Sequence, residues 1–388
     1  MRTVFARLTR ADLSATPARR DLPPDFRETS QSFDEMYDRT TLWYDAIWTG
    51  RRVALVCPLL LNLEPLLTGG QVRLDGRAAR PLRVEHRMSH SVVWFRAPTR
   101  PATVSAEIDG QRLETAVSDR SDAALFAGLN TVVLLQKNND PAWIRDFLIY
   151  HRVRHGLQAA LVFDNGSDRT TPDDLAEICA EAGLEAAAIL SVPYRFGPVA
   201  QRASGSLNWA GLSLQYALLN IARLRFLTRA RAVLQCDIDE LVHCRSGRSV
   251  FDLARRHPLG LVRFGLSWRY PQPVDGGPQR HRDHIWRRTV PDLCPPKYCI
   301  NPRGLMGWAS WGVHDLAFRG ARHLPLSRDA EAWHCRQITT GWKASRSSYV
   351  PPDDLIRDPA FADAMAAVDF EARTPGAVPD LLRDDRDA

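Results

Sequence analysis

The sequence lacks the features that mark several large protein classes. No stretch approaches roughly 18 consecutive apolar residues, the length a helix needs to cross a bilayer. The longest apolar run, near Val53 to Leu61, is far shorter. The opening stretch, MRTVFARLTRADLSATPARR, is basic and has no apolar core of about 7–15 residues, so no secretory signal is expected. There is no CxxC pair and no disulfide framework. The cysteines are Cys57, Cys179, Cys236, Cys244, Cys294, Cys299 and Cys335, an odd number in a long chain, which points to a reducing compartment. The spacing of Cys294 and Cys299 is wrong for a zinc ribbon. No glycine-rich phosphate loop follows the first buried strand, where the chain reads Gln136-Lys137-Asn138-Asn139-Asp140-Pro141. A sugar-nucleotide pyrophosphorylase would want one there. No internal repeat is visible.

What is present describes a folded, mildly basic protein. The chain has 388 residues, 45% of them hydrophobic, with a formal net charge of +6. That length suits two domains, and that apolar fraction suits a sizeable core. Acidic residues outnumber basic ones from Pro351 to Ala388, so the rest of the chain is more basic than the total. A basic body suits phosphate-bearing ligands and is compatible with a peripheral contact at a membrane face. It also raises a nucleic-acid binder as the non-enzyme alternative.

Residues 1–24 are Arg- and Pro-rich and read as an arm. From about 25 to 125 a small antiparallel β module is expected. Period-two runs occur at Gln71–Asp75, Pro81–Glu85, Ser91–Phe95 and Thr103–Ile108. Gly69-Gly70, Asp75-Gly76 and Asp109-Gly110 punctuate them as turns. From 126 to 345 the pattern changes to strand, helix, strand, helix. Buried strands are expected at Leu129–Leu135, Ala159–Phe163, Glu185–Ser191 and Ala230–Cys236. Helices are expected from Asn139-Asp140-Pro141, from Pro172 to Ala182, and from Leu207 to Thr228. This is the signature of an α/β, doubly wound, mostly parallel sheet. Residues 346–388 read as an acidic, Pro-rich tail.

Three polar clusters fall at predicted strand ends: Gln136 to Asn139, Asp164 to Ser167, and Asp237 to Glu240. Parallel strands would put all three on one rim, where α/β sheets bind ligands. Asp237 and Asp239 flank Ile238, so as strand residues they would leave on one face. Two carboxylates so placed offer hard oxygen ligands to Mg²⁺ or Mn²⁺, and a diphosphate can complete the coordination.

Five segments occur in this order: Lys137-Asn138-Asn139-Asp140, Trp143-Ile144-Arg145-Asp146, Tyr150-His151, Phe163-Asp164-Asn165-Gly166-Ser167, and Cys236-Asp237-Ile238-Asp239-Glu240. As an ordered set over about 130–345 they resemble the bacterial glycosyltransferases of family 2 and the related family 92, which have the GT-A fold. One departure is Asn139, where these families often have an acidic residue. The resemblance implies a GT-A domain and an enzyme that moves a sugar, inverting in preference to retaining. The donor would be a nucleotide sugar, UDP-linked by default. The acceptor would be a saccharide or glycolipid, as in surface polysaccharide synthesis, and the setting cytoplasmic, with no nucleic-acid partner.

Residue by residue, the resemblance implies that Lys137, Asn138, Asp164 and Asn165 hold the nucleoside. It implies that Asp237 and Asp239 hold a metal, Mn²⁺ or Mg²⁺, and through it the diphosphate. A late histidine completes such sites. His334 matches that place best and His314 second. Arg195, Arg202, Lys297, Arg336 and Lys343 are cations available to a leaving diphosphate. Asp283, in Arg280-His281-Arg282-Asp283-His284, is the first choice for the acceptor base, with Asp315 and Asp275 as rivals. Trp268 and Trp311 are the tryptophans proposed to meet a sugar, and the others are expected in the core. The β module is expected to pack and not to bind polysaccharide.

Overall fold

The computed structural model describes residues 1–23, 33–198, 200–201, 207–208, 212–271, 279–318, 320–340, 351–371 and 380–383. The chain is mixed α/β and divides into two compact units. One comprises Met1–Ala6, Leu125–Ser191 and Arg229–Ala388, and the other Arg7–Ala124 and Val192–Thr228.

The first unit is built on a ten-stranded sheet. Its strands are β1 (Arg2–Phe5), β2 (Asn130–Gln136), β3 (Ala159–Asp164), β4 (Ala186–Ser191), β5 (Ala232–Gln235), β6 (Glu240–Cys244), β7 (Leu261–Arg269), β8 (Leu293–Ile300), β9 (Ala330–Cys335) and β10 (Asp380–Arg383). The order is β6-β9-β7-β8-β5-β2-β3-β4-β1-β10. From β5 to β10 every neighbour is parallel, while β8 runs antiparallel to both β5 and β7. The parallel strands read as unbroken apolar runs because helices cover their faces. Helix α1 (Pro141–His155) connects β2 to β3, and α2 (Pro172–Glu181) connects β3 to β4.

Both helices start where their caps dictate. The Asp140 side chain accepts from the Ala142 amide, Pro141 opens α1, and Gly156 ends it at φ 69. Thr171 and Asp174 form a reciprocal capping box on α2. Leu134, Phe147, Leu148, Val162, Leu175 and Ile189 belong to the shared core.

The first residues are thus a sheet strand and not an arm. Val4 and its neighbours pair in register with Ala186–Ile189 on one side and with Asp380–Arg383 on the other. Part of the supposed tail is also structured. Helix α3 (Pro359–Ala366) is capped by Asp358, and Phe361 and Met365, one turn apart, enter the same core with Val368 and Phe370.

The second unit carries two small antiparallel sheets. One joins Asp45–Trp48, Arg52–Pro58, His90–Arg96 and Pro81–His86, in that spatial order. The other joins Gln111–Ala116, Thr103–Ile108, Val72–Leu74 and Arg77–Ala78. Asp75-Gly76 and Asp109-Gly110 make the expected hairpin turns, with φ positive at both residues of each pair. This unit also takes in the helix that the sequence assigned to the α/β region. It runs over Ser213–Ile221 and continues as a π turn, Ala222–Phe226. That turn brings buried Arg225 to Asp45 at 3.2 Å and Asp122 at 2.9 Å. Two carboxylates for one guanidinium offset the cost of burying it. Among the described residues, no helix is long and apolar enough to cross a membrane.

Candidate functional site

In the first unit β2 lies between β3 and β5. The chain leaves β2 toward β3 on one side and returns to β5 on the other, so the strand order reverses at β2/β5. Such a switch point leaves a crevice at the carboxyl ends of the strands. Gln136 pairs with Asp164 across β2/β3, and Val133 with Gln235 across β2/β5. The three polar clusters therefore share one rim.

At the end of β5 the chain makes a tight turn, with the Glu240 amide donating to the Asp237 carbonyl at 3.0 Å. Asp237 and Asp239 are turn residues and not a continuation of the strand, so their carboxylates find different partners. Asp239 meets His334, with Oδ2 2.9 Å from Nε2. The imidazole is there because His334 pairs with Glu240 across β6/β9. The Cys335 amide also donates to the Asp239 carbonyl at 2.7 Å.

Asp237 instead meets Lys297. Strand β8 runs beside β5, and Lys297, whose side chain is 0% exposed, places Nζ 2.7 Å from Asp237 Oδ2 and 3.2 Å from Glu240 Oε2. Burial disfavours the ammonium, but the two carboxylates outweigh it and push its pKa well up. Burial raises the Glu240 carboxyl, while Lys297 opposes that shift. Lys297 is thus an internal counter-ion and not a surface cation.

One donor atom each from Asp239, Glu240 and His334 lies within 4.8 Å of the others. One imidazole nitrogen and two carboxylate oxygens make a set that could hold a divalent cation. Without a metal, burial pulls the His334 pKa down, but the Asp239 charge and hydrogen bond prevail and raise it to about 10. Trp268 stacks on His334 with centroids 3.8 Å apart, and the Arg336 guanidinium lies over Trp268 at 4.8 Å.

A cleft of about 240 Å³ lies on the same rim, lined by Asn138, Asp140, Trp143, Arg169, Thr339 and Thr340. It excludes the acidic–histidine triad, yet residues 334–340 join the two. His334 is in the triad, Arg336 follows it, and Thr339 and Thr340 line the cleft. Thr340 Oγ1 donates to the Lys137 carbonyl at 3.1 Å, fastening this segment to the end of β2.

The rim loops are held mainly by their own polar groups. Asn138, at φ 55, accepts through Oδ1 from the amides of Asp168 at 2.9 Å and Arg169 at 3.3 Å. The Asp164 carboxylate is buried and accepts from the Gln136 amide nitrogen and from the Ser167 amide and hydroxyl. Asn165 is buried too, and its amide donates to the Gln136 carbonyl at 2.8 Å. Asp164 and Asn165 thus shape the loop from inside, whereas Asn138 reaches the cleft. Arg202, Lys343 and Asp275 lie outside the described residues. Arg195 belongs to the second unit and donates to the carbonyls of Asp34 and Tyr37.

The Arg280–His284 segment acts as a clamp. Arg280 makes a two-pronged ion pair with buried Asp146 on α1, Nε to Oδ2 at 2.7 Å. His281 Nε2 donates to the Ile238 carbonyl at 2.8 Å, under the acidic turn. His284 Nε2 contacts the Arg336 carbonyl at 2.5 Å. Asp283 accepts the Arg280 amide at 2.7 Å and so caps this turn. Asp315 pairs with Arg263 at 2.6 Å. His314 is exposed, and Trp311 is fully buried. Sequence reasoning passed over Glu240 as a ligand, Thr339 and Thr340 as cleft residues, and the clamp. Glu240 and the HxxH spacing were visible, but their partners are distant in the chain.

No family model matches the chain, and neither does any curated protein.

Proposed function

We propose that this protein is a metal-dependent glycosyltransferase of the GT-A type. It moves a sugar from a nucleotide-diphosphate donor, UDP-linked in preference, to a hydroxyl of a saccharide or glycolipid acceptor. One observation carries the reading: the convergence of Asp239, Glu240 and His334 at the strand-order switch, joined by residues 334–340 to a cleft on the same rim.

The cleft is below the roughly 300–1,000 Å³ of a drug-sized site, so it suits a base or ribose and not a whole nucleotide sugar. The Trp143 ring and the polar groups of Asn138 and Thr340 suit a nucleoside. The diphosphate then extends along 334–340, past Arg336, to the triad. A bound divalent cation there supplies charge stabilisation to the departing diphosphate. Asp237 serves as a positioning group, because it stands outside the Asp239–Glu240–His334 cluster and holds Lys297. Trp268, stacked on His334 and overlaid by Arg336, holds the imidazole and the guanidinium in place beside the donor.

The test is calorimetric titration with Mn²⁺, with and without UDP, followed by donor hydrolysis. Asp239→Asn, Glu240→Gln and His334→Ala are each expected to lose Mn²⁺ binding and hydrolysis, while Asp237→Asn keeps Mn²⁺ binding. Unchanged Mn²⁺ affinity in the three triad variants would overturn the site, and failure of every nucleoside diphosphate to bind would overturn the function.

A further inference from the structure

Exposed apolar side chains occur in a loop at the opposite rim of the same sheet and in the segment that follows it. Ile300, the last residue of β8, pairs with Val233 near the start of β5, at the far end of that strand from Asp237. The chain then enters loop 301–309. Leu305 and Trp308 are each 66% exposed there, and Leu326 is 47% exposed. Trp308 packs beside Phe318 with centroids 6.0 Å apart. The Ala321 amide donates to the Phe318 carbonyl, starting the Ala321–His323 turn that leads to Leu324 and Leu326. Leu324 is anchored through its carbonyl to Arg263. Trp308 is therefore tied, through Phe318, to the Ala321–His323 turn, and Leu326 follows that turn in sequence.

The loop is built to hold this shape. A Cβ on Gly307 would stand 2.0 Å from the Pro302 carbonyl oxygen, and one on Gly304 would stand 2.9 Å from Gly260 Cα. The Met306 amide also donates to the Leu259 carbonyl at 3.0 Å. The backbone is folded tightly on itself, with the Trp308 ring on the outside. Large apolar side chains shown to water on a tight scaffold mark a contact surface.

The charge around them is mostly positive, with Asp329, beside Arg328, held by the Ser246 amide and hydroxyl. Arg303, Arg322 and Arg328 are exposed, as are His314 and His323. Among the described residues from 301 to 328 the sole carboxylate side chain is Asp315, and Arg263 pairs with it at 2.6 Å. Tryptophan, leucine and arginine with their neighbouring acids already bonded within the protein, Asp315 to Arg263 and Asp329 to Ser246, is the composition of a surface that sits at the headgroup level of an anionic bilayer. The aliphatic Leu305 and Leu326 offer nothing for a nucleobase to stack on, which disfavours a nucleic-acid groove.

We propose that this face, Arg303, Leu305, Trp308, Arg322, Leu326 and Arg328, docks the protein on an anionic lipid surface. The arginines meet headgroup phosphates, and the apolar side chains enter the acyl boundary. The inference does not rest on the glycosyltransferase reading, since none of these residues belongs to the acidic–histidine triad or the cleft.

The test is co-sedimentation of the full chain with phosphatidylcholine vesicles, with and without phosphatidylglycerol. Binding is expected with phosphatidylglycerol and is expected to be lost in pure phosphatidylcholine. The pair Arg303→Ala and Arg322→Ala should bind about 30-fold more weakly, at ~1 kcal/mol per arginine. The pair Leu305→Ala and Trp308→Ala should weaken binding by about tenfold or more. Both pairs replace exposed side chains, and an unchanged melting temperature checks that the fold is kept. Equal binding to both vesicles, no binding to either, or unchanged binding in both variant pairs overturns the proposal. So does displacement of the vesicles by single-stranded DNA, which would assign the face to nucleic acid. Glu240→Gln should bind vesicles as the parent does, which separates this outcome from failure of the metal site.

Discussion

Lys297→Met is the sharpest probe of the site. The ammonium is wholly buried and touches two carboxylates, Asp237 at 2.7 Å and Glu240 at 3.2 Å. Methionine nearly conserves the volume, so the change removes charge and little packing. Glu240 has 3% of its surface exposed and would be left as a buried acid without its cation. Asp237 has a quarter of its side chain exposed, so water screens its share. Breaking a buried pair costs about 3–5 kcal/mol, and partial exposure of Asp237 argues for the lower end, about 3 kcal/mol. Protonation of Glu240 caps the loss, because burial already raises its pKa. With a urea slope near ~3 kcal/mol per molar, the unfolding midpoint should fall by about 1 M, read by tryptophan fluorescence. Adding Glu240→Gln to Lys297→Met should recover at least about half of that loss, since no charge is then stranded. A midpoint shift under about 0.3 M, or a double variant as unstable as the sum of the singles, would refute the assignment of Lys297 as the internal counter-ion.

Two further outcomes are expected. Burial lowers the pKa of His155 and of His281 from 6.5 to about 4. The unfolded chain therefore binds more protons between those values, and stability should be full above pH 6.5 and fall as pH drops toward 4. The loss is at most about 3 kcal/mol per histidine, read as a falling urea midpoint from pH 7.5 to 4.5, and a flat midpoint would contradict their neutral burial. Asp146→Ala strands Arg280 beside α1, but Arg280 is partly exposed, so the cost should be about 1–3 kcal/mol, below that of a fully buried pair. It should also weaken Mn²⁺ binding, measured by calorimetry, by loosening His281 beneath Ile238, and unchanged affinity would show that the clamp does not support the turn.

Local features were legible in the sequence. Asp140-Pro141 with Gly156, and Thr171-Pro172 with Asp174, bound their helices as caps should, because capping is satisfied within a few residues. Asp75-Gly76 and Asp109-Gly110 turned the hairpins for the same reason. Apolar runs named the parallel strands, and their parallel pairing aligned the three polar clusters on one rim. Errors arose where partners are remote. Arg2–Phe5 looked like an arm because nothing local reveals a pairing with Ala186–Ile189. The helix at Ser213–Ile221 belongs with the β-rich unit because Arg225 just beyond it pairs with Asp45 and Asp122.

The sequence by itself determined that Asp237-Ile238-Asp239-Glu240 ends a buried strand and that the sheet is mostly parallel, since both follow from apolar runs and short-range turn chemistry. Only the tertiary structure decided what each acid does. Lys297, which sequence offered to a diphosphate, closes on Asp237 and Glu240 because β8 runs beside β5. His334 reaches Asp239 because β9 pairs with β6. Strand pairing between segments tens of residues apart divides one acidic motif, with Lys297 set between Asp237 and Glu240 and an imidazole set on Asp239, and no local pattern carries that choice.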